Sequence, residues 1–489
     1  MSGHRTARVL IYTHRWLGIV SGVLFVIWFV SGIVMMYARM PELSTAERLA
    51  RMPALDASFI RALPPAPAEG DLTRLTIGTL EGRPVFRATA SGRTSLVFGD
   101  TGDSLPPVDA DQALRIARAF AGGPGEVRYD TRLTDADQWA FGIRGRMPVH
   151  RIAVDDARGT RLYVAENGGD VLLKTTGSGR FWGWTGAVLH WLYFAPFRRN
   201  AALWNQTIVW LSVAGTVMCV AGLLWGLWRI APRRGYRLRD HRQWSPYAGW
   251  MRWHHYAGLI FGLMTTTWIF SGLLSMDPWN WHPTTAPTRE QRSRVAGGPI
   301  ALADLSVEKL RAAIAAFGAD RPKELDITRF RGRYYAVASA GIVSLDEPKF
   351  GARDQLAADL VVGAADVAMD GAPIDGMTWL DQYDAYYYDR DGALSLPVLR
   401  VRYADPQQTW LYFDPKRGTI ARKEEKLTRL NRWLYHGFHS LDFPFLYYKR
   451  PLWDIVVILL SIGGIVLSAT TLTASWRRVR RSATSVLRS

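Results

Sequence analysis

The chain contains four long apolar stretches that have no charged residue. They cover residues 16–37, 201–228, 256–276 and 455–476. Crossing a bilayer takes roughly 20 residues of helix, so the pattern predicts four transmembrane helices. The first stretch is too long for a signal-peptide core and no small-residue cleavage site follows it cleanly, which indicates a retained anchor.

The segments between the apolar stretches have the pattern of α+β domains. In the first of them, LTRLTIGTL, RPVFRATA and TSLVF alternate apolar and polar residues and predict strands between 72 and 98. The segment DADQALRIARAFAG at 109–122 has helical spacing, and QWAFGI at 138–143 is predicted to be a further strand. One helix on an antiparallel sheet is the expected arrangement.

The second half of the chain is a degenerate copy of the first half. HRWLGIVSGVLFVIWFVSGIVMMY begins at His14 and HHYAGLIFGLMTTTWIFSGLLSM at His254, and Ser31-Gly32 aligns with Ser271-Gly272. A second register, with an offset of 249, aligns His190 with His439, Leu192 with Leu441, Phe194 with Phe443, Trp204 with Trp453, Ser212 with Ser461 and Gly215 with Gly464. The sequence therefore predicts two repeats about a pseudo-twofold axis along the membrane normal.

Each predicted repeat contains a helix, an outer α+β domain, a short aromatic segment with a histidine, and a second helix. The predicted segments are transmembrane helix 1 at 1–38, outer domain 1 at 39–176, His segment and helix 2 at 177–229, a cytoplasmic basic loop at 230–253, helix 3 at 254–277, outer domain 2 at 278–425, His segment and helix 4 at 426–476, and a cytoplasmic basic tail at 477–489. The aromatic segments 180–194 and 430–443 are predicted to be short helices at the outer interface.

The formal net charge of +17 is concentrated beside the apolar stretches. The basic residues there are Arg5, Arg8 and Arg15, then Arg229, Arg233, Arg234, Arg237, Arg239 and Arg242, and finally Arg477, Arg478, Arg480 and Arg481. This distribution follows the positive-inside rule and predicts that both termini and the loop at 229–253 are in the cytoplasm and that the two long segments are outside. A nucleic-acid partner is excluded because no recognition motif accompanies the charge.

The number of cysteines and the absence of nucleotide-binding motifs exclude several kinds of cofactor site. The chain has one cysteine, Cys219, so disulfides, cysteine-ligated iron–sulfur clusters and covalently attached haem are excluded by counting. No GxGxxG follows a strand and no GxxxxGK[ST] is present, so a nucleotide site within the chain is not expected.

Two pairs of histidines recur in the repeats, and they are the candidate ligands. His14 and His254 open helices 1 and 3, whereas His190 and His439 precede helices 2 and 4. A twofold axis would bring each pair together, and two neutral imidazoles suit axial ligation of a b-type haem better than a zinc site, which usually needs three or four ligands. Interfacial histidines that bind headgroups or helix ends are the alternative. A shift in register would substitute His255 or His436 as ligands.

Other repeated residues lie beside the histidines. Gly18, Gly22, Gly258 and Gly262 would leave room for a flat macrocycle or allow close helix packing. Trp28 and Trp268 lie 14 residues beyond His14 and His254, roughly 21 Å along a helix. They would either connect the two sites or fill the apolar interior.

The HRWLG opening, the later SG pair, the matching third helix and the histidine segments together resemble the PepSY-associated transmembrane-helix family across essentially the whole chain. Members of that family are often iron-regulated inner-membrane proteins, and some are ferric-siderophore reductases with two b haems. The resemblance implies PepSY-like outer domains, two noncovalent b haems held by His14, His254, His190 and His439, and reduction of an outer ferric chelate.

The resemblance also implies partners and leaves alternatives. A cytoplasmic reductase or quinol would supply the electrons, the lipid bilayer would surround the helices, and a ferric siderophore would be the outer acceptor. A haem-free PepSY-type binding or regulatory membrane protein is a second hypothesis. A membrane electron-transfer subunit of a flavoprotein or quinol-linked system is a third.

Overall fold

A computed structural model describes residues 2–123, 125–238, 241–389 and 392–486. Arg239 of the predicted basic loop and residues 487–489 of the predicted tail lie outside the described residues. The chain forms two compact units. The first unit comprises Met1–Met40, Ser178–Pro283 and Leu430–Ser489, and the second comprises Pro41–Gly177 and Thr284–Arg429.

The α-helices are α1 Ser2–Met35, α2 Thr45–Ala50, α3 Ala110–Ala121, α4 Gly177–Gly183, α5 Leu189–Trp191, α6 Ala195–Arg198, α7 Ala201–Arg229, α8 Trp250–Leu274, α9 Arg289–Ala296, α10 Val307–Ala315, α11 Ala358–Ala368, α12 Lys426–Asn431, α13 Phe438–Ser440, α14 Pro444–Tyr447 and α15 Leu452–Val486. The strands are β1 Leu72–Leu80, β2 Arg83–Ala90, β3 Arg93–Phe98, β4 Val127–Leu133, β5 Val149–Val154, β6 Arg161–Ala165, β7 Val171–Thr175, β8 Tyr236–Leu238, β9 His241–Gln243, β10 Leu325–Phe330, β11 Arg333–Ala338, β12 Gly341–Ser344, β13 Ile374–Leu380, β14 Val398–Tyr403, β15 Trp410–Asp414 and β16 Thr419–Glu424.

Four helices of the first unit are long and apolar enough to cross a membrane, as the sequence predicted. These spans are His4–Met35, Ala201–Arg229, Trp250–Leu274 and Leu452–Leu472. Helix α1 packs against α7 and α15, and α8 packs against the same two helices. Phe25, Phe29 and Met218 are buried among them, while Val20 and Ile260 are 80% and 70% exposed. Large apolar side chains on the outside of a helix bundle are suited to lipid.

The second unit is built on a sheet that strands from both halves of the chain share. Its order is β12-β11-β10-β1-β2-β3, and β1 pairs with β10 in antiparallel fashion, with Thr76 opposite Asp326. The sequence predicts a separate sheet for each outer segment, whereas in the structure these six strands from both segments form one sheet. Pairing β1 with β10 removes two exposed strand edges and buries the apolar residues Leu75, Ile77 and Ile327 in one core.

Two further sheets have four strands each, β4-β5-β6-β7 and β13-β14-β15-β16. Helix α3 lies where predicted, with the Asp109 carboxylate accepting from Gln112 N and Gly122 ending the helix at φ +63°. Its apolar face packs on β4–β7 in one core, and α11 packs on β13–β16 in another. The predicted strand QWAFGI was wrong: Ala140–Arg146 is a 3₁₀ helix, because the Asp137 carboxylate accepts from the amides of Trp139 and Ala140 and turns the chain.

The shared sheet can be tested with an engineered disulfide. Directly opposed residues of antiparallel strands have Cα atoms about 4.5–5.5 Å apart, which is within disulfide range. Thr76→Cys with Asp326→Cys, in a Cys219→Ala background, is therefore predicted to lose both thiols on mild oxidation, as a thiol titration after denaturation would measure. Thr76→Cys with Ser344→Cys of β12 is the control, since three strand spacings, about 14 Å, should keep both thiols free. Free thiols in the first variant would contradict the β1–β10 pairing.

Candidate cofactor site: two histidine pairs

His14 of α1 and His254 of α8, the first pair, face each other with ring centroids 5.9 Å apart. The Nδ1 atom of His14 lies 3.0 Å from the Met218 carbonyl oxygen of α7, and that of His254 lies 3.2 Å from the Leu467 carbonyl oxygen of α15. A carbonyl oxygen only accepts hydrogen bonds, so Nδ1 donates in both rings. The lone pair of each neutral ring is then on Nε2, the nitrogen available to a metal.

His190 of α5 and His439 of α13, the second pair, have ring centroids 6.2 Å apart. Their Nδ1 atoms lie 3.1 Å and 3.2 Å from the carbonyl oxygens of Trp28 and Trp268. The Nδ1–H therefore donates to a main-chain oxygen here as well. Burial lowers the pKa of His190 to about 4, with a smaller contribution from His439, and burial also lowers the pKa of His439. Both rings are consequently neutral at pH 7.

The repeated Ser-Gly pairs position the second pair of histidines. The Ser31 hydroxyl lies 3.1 Å from His190 Nδ1, and the Ser271 hydroxyl lies 3.0 Å from His439 Nδ1. A Cβ on Gly32 would be 3.5 Å from the His190 ring, an ordinary van der Waals distance, so the imidazole packs directly against α1 at this glycine. The sequence showed that the Ser-Gly pairs recur, yet their role as partners of His190 and His439 was missed.

The segments that carry the second pair are short helices, which confirms the prediction for 180–194 and 430–443. Each contains a π-helical turn, Trp184–Val188 in one and Arg432–Gly437 in the other. Each then ends in a leucine in the left-handed region, Leu192 at φ 52° and Leu441 at φ 51°. Such a backbone is uncommon for leucine, and π turns are frequent at functional sites. Neither feature was predicted.

A cavity of about 680 Å³ surrounds the first pair. That volume is in the usual range for cofactor sites. The cavity is lined by the glycines that the sequence singled out, Gly18, Gly22, Gly258 and Gly262, and by Gly222. A Cβ on Gly222 would overlap the His14 ring, so the absence of a side chain there makes room for the imidazole.

The two less favoured ligand candidates have other contacts. His255 is buried, with Nδ1 2.8 Å from the Ser245 hydroxyl and Nε2 2.9 Å from the Gly226 carbonyl oxygen. Both of its nitrogens are therefore used within the protein. The His436 ring lies against Tyr435, with centroids 4.7 Å apart.

The chemistry of the two histidine pairs matches the donor set of a bis-histidine haem. In the described residues, no group of three or more His, Cys, Asp or Glu side chains could hold a metal ion. Two imidazoles suffice when a macrocycle supplies the other ligands. With metal–nitrogen distances of about 2 Å, two opposed rings would have centroids on the order of 6 Å apart, and the observed separations are 5.9 Å and 6.2 Å.

Aromatic side chains fill the apolar interior of the first unit. Trp28 contacts Phe25, and Trp268 contacts Phe29, each with ring centroids 5.8 Å apart. Both tryptophans pack at the edge of the buried cluster that contains these phenylalanines. The packing role that the sequence allowed for Trp28 and Trp268 is thus observed.

Comparison with known families gives one finding for the chain. The family model of the PepSY-associated TM region matches residues 11–324, more than half of the sequence. The matched range includes His14, His190 and His254 and ends before His439. No protein with a curated description matches the chain. With its four apolar helices, the chain is a multi-pass membrane protein.

The contact between Gly222 and His14 predicts unequal effects of the same substitution on two cavity walls. Gly222→Ala should displace the His14 imidazole and cost about 1–3 kcal/mol through overpacking. Gly18→Ala is the matched control, since a Cβ there comes only within 3.6 Å of the Met218 sulfur and alanine is favoured in helices by about 1 kcal/mol. Thermal unfolding of the detergent-solubilised protein should give a lower Tm for Gly222→Ala alone. Equal Tm values would mean that His14 does not occupy this position.

Proposed function

Because the chain belongs to the family of the PepSY-associated TM region, we propose that it is a dihaem b electron-transfer protein of a bacterial inner membrane. Its proposed reaction is reduction of an extracytoplasmic ferric chelate, such as a siderophore, with release of Fe(II). The observation that carries this proposal is the two opposed histidine pairs. In each of the four rings Nδ1 donates to a main-chain carbonyl oxygen, which leaves the lone pair on Nε2.

The proposed ligands are His14 and His254 for one haem and His190 and His439 for the other. Haem bound at these pairs would supply reversible one-electron chemistry at two depths in the membrane. The carbonyl oxygens that accept from Nδ1 hold the rings in one tautomer and raise their basicity as ligands. All four side chains are neutral in this form, so ligation adds no protein charge to the apolar interior.

The remainder of the first unit would keep the two sites apart and dry. His14 and Trp28 are on the same helix, separated by 14 residues or about 21 Å, and the Trp28 carbonyl contacts the second pair. Phe25, Phe29 and their tryptophan neighbours occupy the space between. Dense packing excludes water from that region.

The topology and partners in this proposal follow the charge pattern and the repeats. Arginines beside the spans favour cytoplasmic termini, which would put the first pair near the cytoplasm and the PepSY-like second unit outside. Two repeats, each contributing one histidine to each pair, account for the paired geometry.

A cytoplasmic reductase or quinol would donate electrons. One electron converts a bound Fe(III) to Fe(II), which hard oxygen ligands hold less tightly.

Loss of single histidines tests the proposal directly. The purified wild-type protein should show b-type α-bands after dithionite reduction. Replacing any one of His14, His254, His190 and His439 by alanine should halve the haem content. Both histidines of a pair are required for bis-imidazole ligation, so each variant should lose one of the two haems. His282→Ala is the control, since His282 is exposed.

Two outcomes would count against the proposal in different ways. A wild-type protein without haem would exclude the dihaem function and favour a haem-free binding or regulatory protein. Full haem content in any of the four variants would show that the ligand assignment is wrong at that residue.

The serine hydroxyls beside the second pair should affect haem retention selectively. Ser31→Ala or Ser271→Ala removes a hydrogen-bond partner of a ligand histidine, and such losses weaken metal binding about 10–100-fold. Haem loss to an apomyoglobin acceptor would measure this, with only the haem of the second pair leaving faster. Ser461→Ala is a matched control because its buried hydroxyl bonds to Val457 O of its own helix. Equal loss rates in all variants would contradict a positioning role for Ser31 and Ser271.

A further inference from the structure

The loop between α7 and α8 presents a concentrated positive surface. Arg233 and Arg234 are exposed in the turn before β8, and Arg237 and Arg242 are exposed on β8 and β9. In the β8–β9 pairing, Arg237 is directly opposite Arg242. Like charges at directly opposed positions of a strand pair destabilise the pair. An anion bound between Arg237 and Arg242 would remove this repulsion.

The protein offers almost no counter-charge of its own at this surface. Between residues 201 and 276 the only acidic residue is Asp240, which lies outside the described residues. Among the residues that the structure describes, no carboxylate forms a salt bridge with the four exposed arginines. A nearby guanidinium, that of Arg229, also has a buried Nε without a hydrogen-bond partner. The positive charge is therefore available to a ligand.

Tryptophans place the same surface at the boundary of the bilayer. Trp228, Trp244, Trp250 and Trp253 are each more than half exposed. Three of them lie where α7 ends and α8 begins, at Arg229 and Trp250, and Trp244 follows β9 directly. Tryptophan settles at the membrane interface, so the arginines of the intervening loop lie at the level of the lipid headgroups.

We propose that Arg233, Arg234, Arg237 and Arg242, bordered by these tryptophans, form a binding surface for the phosphate groups of anionic phospholipids. Guanidinium groups bind phosphate through two parallel hydrogen bonds. Basic residues next to a membrane span favour anionic lipid over zwitterionic lipid. The apolar tryptophan rings would contact the adjoining acyl chains.

Native mass spectrometry of the full-length protein in detergent, titrated with phosphatidylglycerol or phosphatidylcholine, tests the proposal. The wild type should bind phosphatidylglycerol more tightly. Arg237→Gln with Arg242→Gln should weaken that binding by about fivefold for each arginine, about twenty-five-fold for the pair. Arg237→Lys with Arg242→Lys should keep most of the preference because the charge remains, which also guards against a simple folding defect.

A control and two contrary outcomes complete the test. Arg93→Gln with Arg128→Gln makes the same charge change at exposed positions of the second unit and should leave the lipid preference unchanged. Equal affinity of the wild type for the two lipids, or an unchanged preference in the Arg237/Arg242 glutamine variant, would overturn the proposal. If inorganic phosphate at the same concentration displaced the lipid, the surface would be a free-phosphate site and the lipid assignment would be wrong.

Discussion

The N–H of a neutral imidazole inside a helix bundle needs an acceptor, and here main-chain oxygens of neighbouring segments provide it. The four acceptors are the carbonyl oxygens of Met218, Leu467, Trp28 and Trp268. A helix carbonyl has a second lone pair beyond the one used by its own helix, so each bond forms without breaking the helix. The orientation of each imidazole ring therefore depends on how the helices pack, and a change in packing would move its Nε2 atom.

Small residues make that packing possible at each pair. Gly222 leaves space for the His14 ring, and Gly32 and Gly272 are the residues of α1 and α8 against which His190 and His439 pack at ordinary contact distance. A side chain at Gly222 would overlap the His14 ring and disturb the packing of α1 against α7. The glycines at the first pair therefore have two effects, since they line the cavity and, at Gly222, leave the space that the His14 ring occupies.

Sequence patterns predicted the features that depend on residue type or on repetition. The four spans, helix α3 and the pairing of His14 with His254 all leave such a signal. The hydrogen-bond acceptor of His14 leaves no signal in the sequence, because every residue has a main-chain carbonyl. Only the relative rotation of α1 and α7 selects the carbonyl of Met218. The pairing of β1 with β10 was missed for a related reason, as alternation within a strand predicts its faces but not its neighbours.

The choice of histidine at both pairs is explained by the cost of charge in an apolar interior. A carboxylate or thiolate at these positions would bring a negative charge that is expensive to bury, whereas a neutral imidazole has a nitrogen lone pair without a charge. The only cysteine, Cys219, is instead buried with Phe25 and Ile269. Arginines are concentrated at the ends of the spans, where water and headgroups solvate them. The same constraint thus keeps charge at the membrane boundary and favours neutral side chains within it.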